Sequence, residues 1–205
     1  VYRTNEAHAV QMPYLVLAAI VALIALAVWR TRLPETREGP AIALGAQLRA
    51  LAGARALRGA VLAQFFYVGA QVGIWSFFID FTKDVAPEIS ERTAAFLLSA
   101  SLVMFRVGRF GGAALMQWIR PVRLLGVYCL FNVALCAVAV LAHHWLAIGP
   151  LMLTSFFMSI MFPTIFSLGL KDLGDAAPLG ASFIIMSIIG GAIFPPLMGL
   201  IATWA

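Results

Sequence analysis

The sequence predicts an all-α membrane protein with six transmembrane helices, and three observations lead to this fold class. First, 62% of its 205 residues are hydrophobic and only 11% are charged, whereas a soluble domain carries about 25% charged residues. Second, the apolar residues form long runs, close to the roughly 20 helical residues that cross a bilayer. Third, the formal charge of +5 comes from basic residues between these runs, which is typical of membrane orientation and not of nucleic-acid binding.

Six apolar runs are long enough to span the membrane. The third is interrupted by Arg106 and Arg109, which we expect at the inner end of a long helix, where their side chains can extend toward the headgroups. The predicted spans are residues 13–29, 59–81, 93–118, 124–142, 145–170 and 179–204.

The basic residues also predict the orientation of these spans. Eleven of the 14 Lys and Arg residues fall on one side, and the positive-inside rule makes that side cytoplasmic. Both ends of the chain then face outward. Because the sequence does not begin with Met and stops directly after a span, we expect that it is part of a longer protein.

Three regions are predicted along the chain. Within the central one, the first part is polar and contains proline, whereas residues 41–59 carry leucines at helical spacing and predict a helix along the inner membrane surface. The regions are an outer loop with the first span (1–29), a cytoplasmic central linker (30–58) and a transmembrane bundle (59–205).

The strongest local signal is a set of four side chains on the second span, here called the stripe: Gln64, Tyr67, Gln71 and Trp75. They are three or four residues apart, so they share one face of a helix. Polar groups within a span usually face a bundle interior or a cavity. Two amides, a phenol and an indole offer hydrogen bonds and a flat apolar surface, which suits a polyhydroxylated ring. The same pattern, beside two glycines, is also typical of hydrogen bonding between close-packed helices.

Other polar residues within spans give weaker signals. Asn132 on the fourth span needs several partners if it is buried, and it could bind a solute or join two helices. Four serines are expected to hydrogen-bond to their own helix backbone: Ser99, Ser101, Ser182 and Ser187.

The last two spans contain residues that interrupt helices. Pro163 removes a backbone hydrogen bond near the middle of the fifth span, and neighbouring hydroxyl groups can satisfy the carbonyls around it. Gly190 and Gly191 precede Pro195 in the sixth span. Spans interrupted by Gly and Pro indicate binding sites and moving segments in secondary transporters, so these residues are predicted to make the helices flexible.

Enzyme chemistry has no recognisable signature here. The sequence contains no HExxH, GxSxG, Walker A or CxxC motif, and its spans contain no pair of carboxylates. Cys129 and Cys136 have neither metal-site spacing nor the placement of a disulfide, so they are expected to be small core residues. The sequence therefore predicts neither an enzyme nor a cofactor or metal site.

Four segments resemble consecutive parts of the L-fucose:proton symporter family, among the sugar porters of the major facilitator superfamily. They occur in the expected order, the resemblance covers nearly the whole chain, and the "QMPY" that opens the first span also fits. The segments are "AQFFYVGAQVGIWSFFIDF", "RVGRFGGAALMQWIRP", "FFMSIMFPTIFSLGLKDLG" and "GASFIIMSIIGGAIFPPLMG".

The resemblance implies that the six spans correspond to the sixth through eleventh helices of a twelve-helix transporter in the inner membrane. It implies import of a hexose or deoxyhexose with protons by alternating access. The expected partners are the sugar, protons, membrane lipid and the missing amino-terminal half, which is expected to carry the protonatable carboxylates. Two alternatives stay open: transport of a non-sugar solute, and a membrane module that assembles without transport.

The resemblance also implies roles for individual residues. Arg109 lies in the family's cytoplasmic gating turn, where it would hold the inner gate or simply extend toward headgroups. Met161 and Phe162 stand where a fucose-type pattern carries Gln-Tyr, which leaves glucose or galactose open as the sugar. The residues expected to contact the sugar are Gln64, Tyr67, Gln71, Trp75, Asn132 and Phe162.

Overall fold

A computed structural model of the chain describes residues 2–31 and 44–204, and these residues are almost entirely helical, as predicted. The part of the predicted linker at 32–43 lies outside the described residues. Short 3₁₀ turns occur at His144–Ala147, Gly174–Ala176 and Ser187–Ile189. The helices in chain order are α1 (Tyr2–Arg30), α2 (Leu44–Gly53), α3 (Arg55–Val85), α4 (Glu91–Leu115), α5 (Pro121–Leu141), α6 (Ile148–Met158), α7 (Met161–Leu170), α8 (Ala177–Met186) and α9 (Gly190–Ala202).

Among the residues that the structure describes, five helical stretches are long and apolar enough to cross a membrane. The first predicted span corresponds to a shorter apolar segment, Tyr14–Arg30, within α1. The chain forms two compact units, residues 1–42 and 43–205, so α1 belongs to the first unit and α2 to α9 belong to the second. The five stretches are Arg55–Val85, Glu91–Leu115, Pro121–Leu141, His144–Leu170 and Gly174–Ala202.

The helix predicted along the inner membrane surface is shorter than expected. α2 ends at Gly53, Ala54 has φ −74° and ψ 99°, and α3 begins at Arg55, so the prediction of one helix as far as residue 59 is wrong. Glycine is a poor helix former, which favours an end at this point. Leu51 on α2 is only 3% exposed and belongs to the main apolar core, so α2 is packed onto the bundle.

The second unit is organised around α3 and α6. α3 packs along α9 and α7 and also contacts α4, while α6 packs against both α4 and α5. Glycines allow the helices to approach closely: a Cβ atom added to Gly69 would lie 2.5 Å from the Phe194 ring, and one added to Gly73 would lie 2.6 Å from Met198 Sδ. Such small residues at crossings are typical of helix packing in membranes.

Both late spans are broken near their middle, as predicted. α6 ends at Met158 and α7 begins at Met161, so Pro163 lies in the first turn of α7, where its missing N–H is not needed. Two hydroxyl groups bond to carbonyls beside this break. Ser159 Oγ donates to Phe156 O and Thr164 Oγ1 donates to Ile160 O, each at 2.6 Å. The second break is the 3₁₀ turn at Ser187–Ile189.

Candidate functional site

The stripe lies on α3 and faces the interior of the bundle. Gln64 is 0% exposed and Tyr67 is buried, while Gln71 and Trp75 are half-buried. Leu62, on the opposite side of α3, is 60% exposed. The stripe therefore has the orientation that a solute-binding surface requires, although the same orientation also suits contacts between helices.

The two aromatic residues of the stripe use their polar atoms to bind α6. Tyr67 Oη donates a hydrogen bond to Met158 O at 3.0 Å, and Trp75 Nε1 donates to Ser155 Oγ at 3.1 Å. Each group has a single proton to donate. Tyr67 and Trp75 can therefore offer a solute their ring surfaces, but not these donors.

Gln64 is the least satisfied member of the stripe. Neither its Nε2 nor its Oε1 has a hydrogen-bond partner among the described residues. Ala60 lies one turn before Gln64 on α3. A Cβ added to Gly169 of α7 would contact the Cβ of Ala60, so α3 and α7 pack very closely here. A buried amide without partners is costly, particularly at membrane depth. Gln64 therefore needs a ligand, a water molecule or a second conformation of the bundle.

Gln71 differs from Gln64 because it is half-buried. The hydrogen bonds that the described residues make to the stripe involve Tyr67 and Trp75 and leave the Gln71 amide free. An amide has two donors and an acceptor with two lone pairs. Gln71 is therefore the stripe residue that is best placed to bind a polar solute directly.

Asn132 of α5 faces the beginning of α7, where Phe162 lies. Asn132 Nδ2 is 3.9 Å from Met161 Sδ, which is a weak acceptor, and Asn132 Oδ1 has no partner among the described residues. Phe162 is half-buried, and its ring is nearly parallel to that of Phe166, at 12° and 6.5 Å. Phe162 and the Asn132 contact with Met161 thus lie just after the break, whereas Tyr67 and Trp75 bind α6 before it.

Arg109 is exposed on α4, next to a close helix crossing. A Cβ added to its neighbour Gly108 would contact Phe156 O and would lie 2.8 Å from Ser159 Oγ. Glycine is thus required where α4 crosses α6, immediately before the break. The gating role of Arg109 itself remains a prediction.

The glycines of the sixth span mark another close crossing. A Cβ added to Gly190 would contact Phe65 O, and one added to Gly191 would lie 3.0 Å from Val72 Cγ2. Pro195 lies inside α9 and is half-buried. Close packing of α9 on α3 is therefore a sufficient reason for both glycines, and their contribution to helix flexibility stays a prediction.

Sequence reasoning missed a pair of hydroxyl groups between α4 and α6. Ser101 was expected to bond only within its own helix, but its Oγ lies 2.7 Å from Ser155 Oγ and 3.4 Å from Met152 O. No spacing in the sequence shows which helix Ser101 meets. The other three serines do bond to their own backbone, as predicted: Ser99 to Ala95 O, Ser182 to Pro178 O and Ser187 to Ile184 O.

A separate cavity of about 820 Å³ lies between α2, α3 and the α8–α9 region. Its walls are mainly aliphatic and aromatic, and they include Leu57, Phe65 and Phe183. None of the predicted sugar-contacting residues lines it. Apolar walls of this kind suit hydrocarbon better than a sugar, because a sugar's hydroxyl groups need polar partners.

Comparison with known proteins finds sugar transporters. No protein-family model matches the chain. It is 40% identical to the L-fucose-proton symporter of Escherichia coli K12, over 98% of this chain and 47% of that protein. It is 36% identical to a putative glucose/galactose transporter of Helicobacter pylori J99 (96% and 47%) and 33% identical to the glucose/galactose transporter of Brucella abortus biovar 1 (96% and 48%).

The fold has a close counterpart among solved structures. A crystal structure of a major facilitator superfamily transporter, FucP, in the outward conformation matches with a TM-score of 0.85 and 41% identity, over 96% of this chain and 49% of that chain. The resemblance read from the four sequence segments is confirmed. The chain spans about half the length of the relatives that it matches.

Proposed function

We propose that the complete protein is a secondary active transporter that imports a hexose or deoxyhexose with protons, because the chain is a homologue of the carboxy-terminal half of an L-fucose-proton symporter of the major facilitator superfamily. This activity is a property of the complete transporter, in which the chain pairs with an amino-terminal half in the inner membrane. The partners are then the sugar, protons and the surrounding lipid.

The observation that best supports the proposal is the similarity of the chain to proteins that are named as transporters of six-carbon sugars. Proteins named for L-fucose and proteins named for glucose and galactose both match at least 96% of this chain. These sugars share a six-carbon skeleton that carries several hydroxyl groups. The substrate class is therefore supported, and the identity of the sugar is left to experiment.

The polar groups around the break can bind such a ring. The amide of Gln71 donates and accepts hydrogen bonds with sugar hydroxyl groups, and the indole of Trp75 packs against the apolar face of the ring. Asn132 Oδ1 and the Gln64 amide lack partners among the described residues, so both can gain hydrogen bonds when a solute or water enters. Phe162 and Tyr67 add aromatic surface.

Alternating access requires helices that change shape around this site. The breaks at residues 159–160 and 187–189 divide two spans into shorter segments that can tilt separately. Sugar and proton binding shift the balance between outward-open and inward-open states through contacts that differ between the states. In this proposal Arg109 acts at the cytoplasmic gate, and the carboxylates that carry protons are expected in the amino-terminal half.

Uptake of labelled hexose by the complete transporter tests the proposal. We expect Gln71→Ala and Trp75→Ala each to lower uptake efficiency about tenfold, because a lost interaction of about 1.4 kcal/mol has this effect. Leu62→Ala, on the opposite side of α3, and Trp145→Ala are the controls, since both residues are exposed, and they should leave uptake unchanged. Unchanged uptake and proton dependence in both stripe variants would rule out this site.

Two alternatives are distinguished by companion measurements. Competition by L-fucose, glucose and galactose identifies the sugar, and competition only by non-sugar solutes would indicate another substrate class. The burial of Gln64 between helices also fits an assembly module. In that case the complete protein would transport no solute, and substitutions at Gln64 and Gln71 would change only helix association.

A further inference from the structure

The side chain of Trp75 is held by hydrogen bonds that run across three helices. Trp75 of α3 donates to Ser155 Oγ of α6 at 3.1 Å, and Ser155 Oγ is 2.7 Å from Ser101 Oγ of α4. Ser101 Oγ in turn lies 3.4 Å from Met152 O. Both serines are buried, so water does not compete strongly for these bonds.

The chemistry of its two ends gives this chain of bonds a direction. An indole N–H can only donate, and a carbonyl oxygen can only accept. The arrangement that satisfies every group is therefore donation from Trp75 to Ser155, from Ser155 to Ser101, and from Ser101 to Met152 O. Removing the Ser155 hydroxyl takes the acceptor from the Trp75 N–H, and removing the Ser101 hydroxyl takes the acceptor from Ser155.

A second contact restrains the same indole. The ring of Phe105 lies 5.2 Å from the Trp75 ring at an interplanar angle of 82°, which is a favourable edge-to-face geometry. Phe105 follows Ser101 by one helical turn, so both project from one face of α4. The hydrogen bond fixes the N–H edge of the indole, and the aromatic contact opposes rotation of the ring.

We propose that Ser101 and Ser155 are positioning residues that hold the Trp75 indole in the orientation in which its free surface stacks against the sugar. The proposal rests on the function proposed above, because stacking requires a sugar at the stripe. It assigns to α4 a role in substrate affinity that does not involve direct contact with the substrate. It also accounts for two buried hydroxyl groups that meet between helices.

Kinetics of hexose uptake by the complete transporter test the assignment. Ser155→Ala and Ser101→Ala should each raise KM by about 2-fold to 10-fold, the effect of one hydrogen bond, and leave Vmax nearly unchanged. Ser101→Ala provides an independent test if Ser155→Ala folds poorly. Ser99→Ala is the matched control, because within the described residues this exposed serine of α4 bonds only to Ala95 O, and it should not change KM.

A Trp75→Phe background separates positioning from general stability. If the serines act through the indole, neither serine substitution should raise KM further in that background. A further rise, or an unchanged KM in the Trp75-containing variants, would overturn the proposal. The ultraviolet resonance Raman band that reports hydrogen bonding at the indole nitrogen, taken as a difference from Trp75→Phe, should shift in Ser155→Ala.

The Raman measurement also distinguishes the two proposals. If the transporter takes up no hexose, the proposed function fails, and the band still shows whether the serines hold the indole. If uptake depends on Trp75 but the band does not shift in Ser155→Ala, the positioning role is wrong and the proposed function stands.

Discussion

At the scale of single residues, Gln64 is where folding and function conflict most directly. It is fully buried, and both polar atoms of its amide lack partners among the described residues. A folded bundle would be more stable with an apolar side chain of the same length at this position. Retaining an amide there is understandable if it acquires a partner during the transport cycle.

We therefore predict that Gln64→Met stabilises the complete transporter in detergent and impairs hexose uptake. The substitution removes an unsatisfied amide, whose burial costs about 1–3 kcal/mol, so the melting temperature should rise. Leu62→Met, at an exposed position of the same helix, should change neither the melting temperature nor the uptake. A lower melting temperature for Gln64→Met would show that the amide already has partners in the resting protein.

The sequence could predict which residues of α3 face inward, but not what they contact. Helical spacing alone places Gln64, Tyr67, Gln71 and Trp75 on one face, and the burial of these side chains agrees with it. The hydrogen-bond partners of Tyr67 and Trp75 lie 80 or more residues away along the chain. Spacing within one helix carries no information about such distant contacts, so the bond to Ser155 could not be foreseen.

At the scale of helices, the roles of the glycines depend on where the helices cross as well as on where they are interrupted. Both glycines that the sequence suggested as flexible points lie against α3, Gly190 against the backbone at Phe65 O and Gly191 against the side chains of Val68 and Val72. A glycine can be needed for close helix packing or for helix flexibility, and substitution of the glycine distinguishes these two roles. The crossing of α4 with α6 offers the cleanest comparison, because Gly108 and Gly111 lie in the same helix and meet different surroundings.

We predict opposite effects for alanine at these two glycines. Gly108→Ala should lower the melting temperature, because its Cβ would meet Phe156 O and Ser159 Oγ, and overpacking costs about 1–3 kcal/mol. Gly111→Ala should be neutral or stabilising by up to about 1 kcal/mol, since no atom lies within 4 Å of its Cβ and alanine favours helix. Equal melting temperatures would contradict the close crossing.

The bounds of the helices show where sequence reasoning is accurate and where it fails. Hydropathy located the five long spans to within a few residues, because long apolar runs leave few alternatives. It failed at the junction of α2 and α3, where one continuous periodic pattern is divided at Gly53 and Ala54. Periodicity does not report a change of direction that takes a single residue.

At the scale of the whole molecule, the chain is a homologue of half of a transporter. The all-α membrane fold and the family resemblance could both be obtained from hydropathy and four sequence segments, whereas the orientation read from the charges stays a prediction. The sugar could not, because Met161 and Phe162 replace the hydrogen-bonding groups of a fucose-type site. A binding site shared between two halves is only partly encoded in either one.

The central claim is that the stripe borders the path of the solute, and cysteine labelling tests it most directly. In a complete transporter with its native cysteines replaced, we predict that Gln71→Cys reacts with a membrane-impermeant thiol reagent and that saturating transported hexose slows this reaction severalfold. Leu62→Cys, on the opposite side of α3, should react slowly with or without sugar. A Gln71→Cys variant that does not react, or that reacts equally with and without sugar, would contradict the claim.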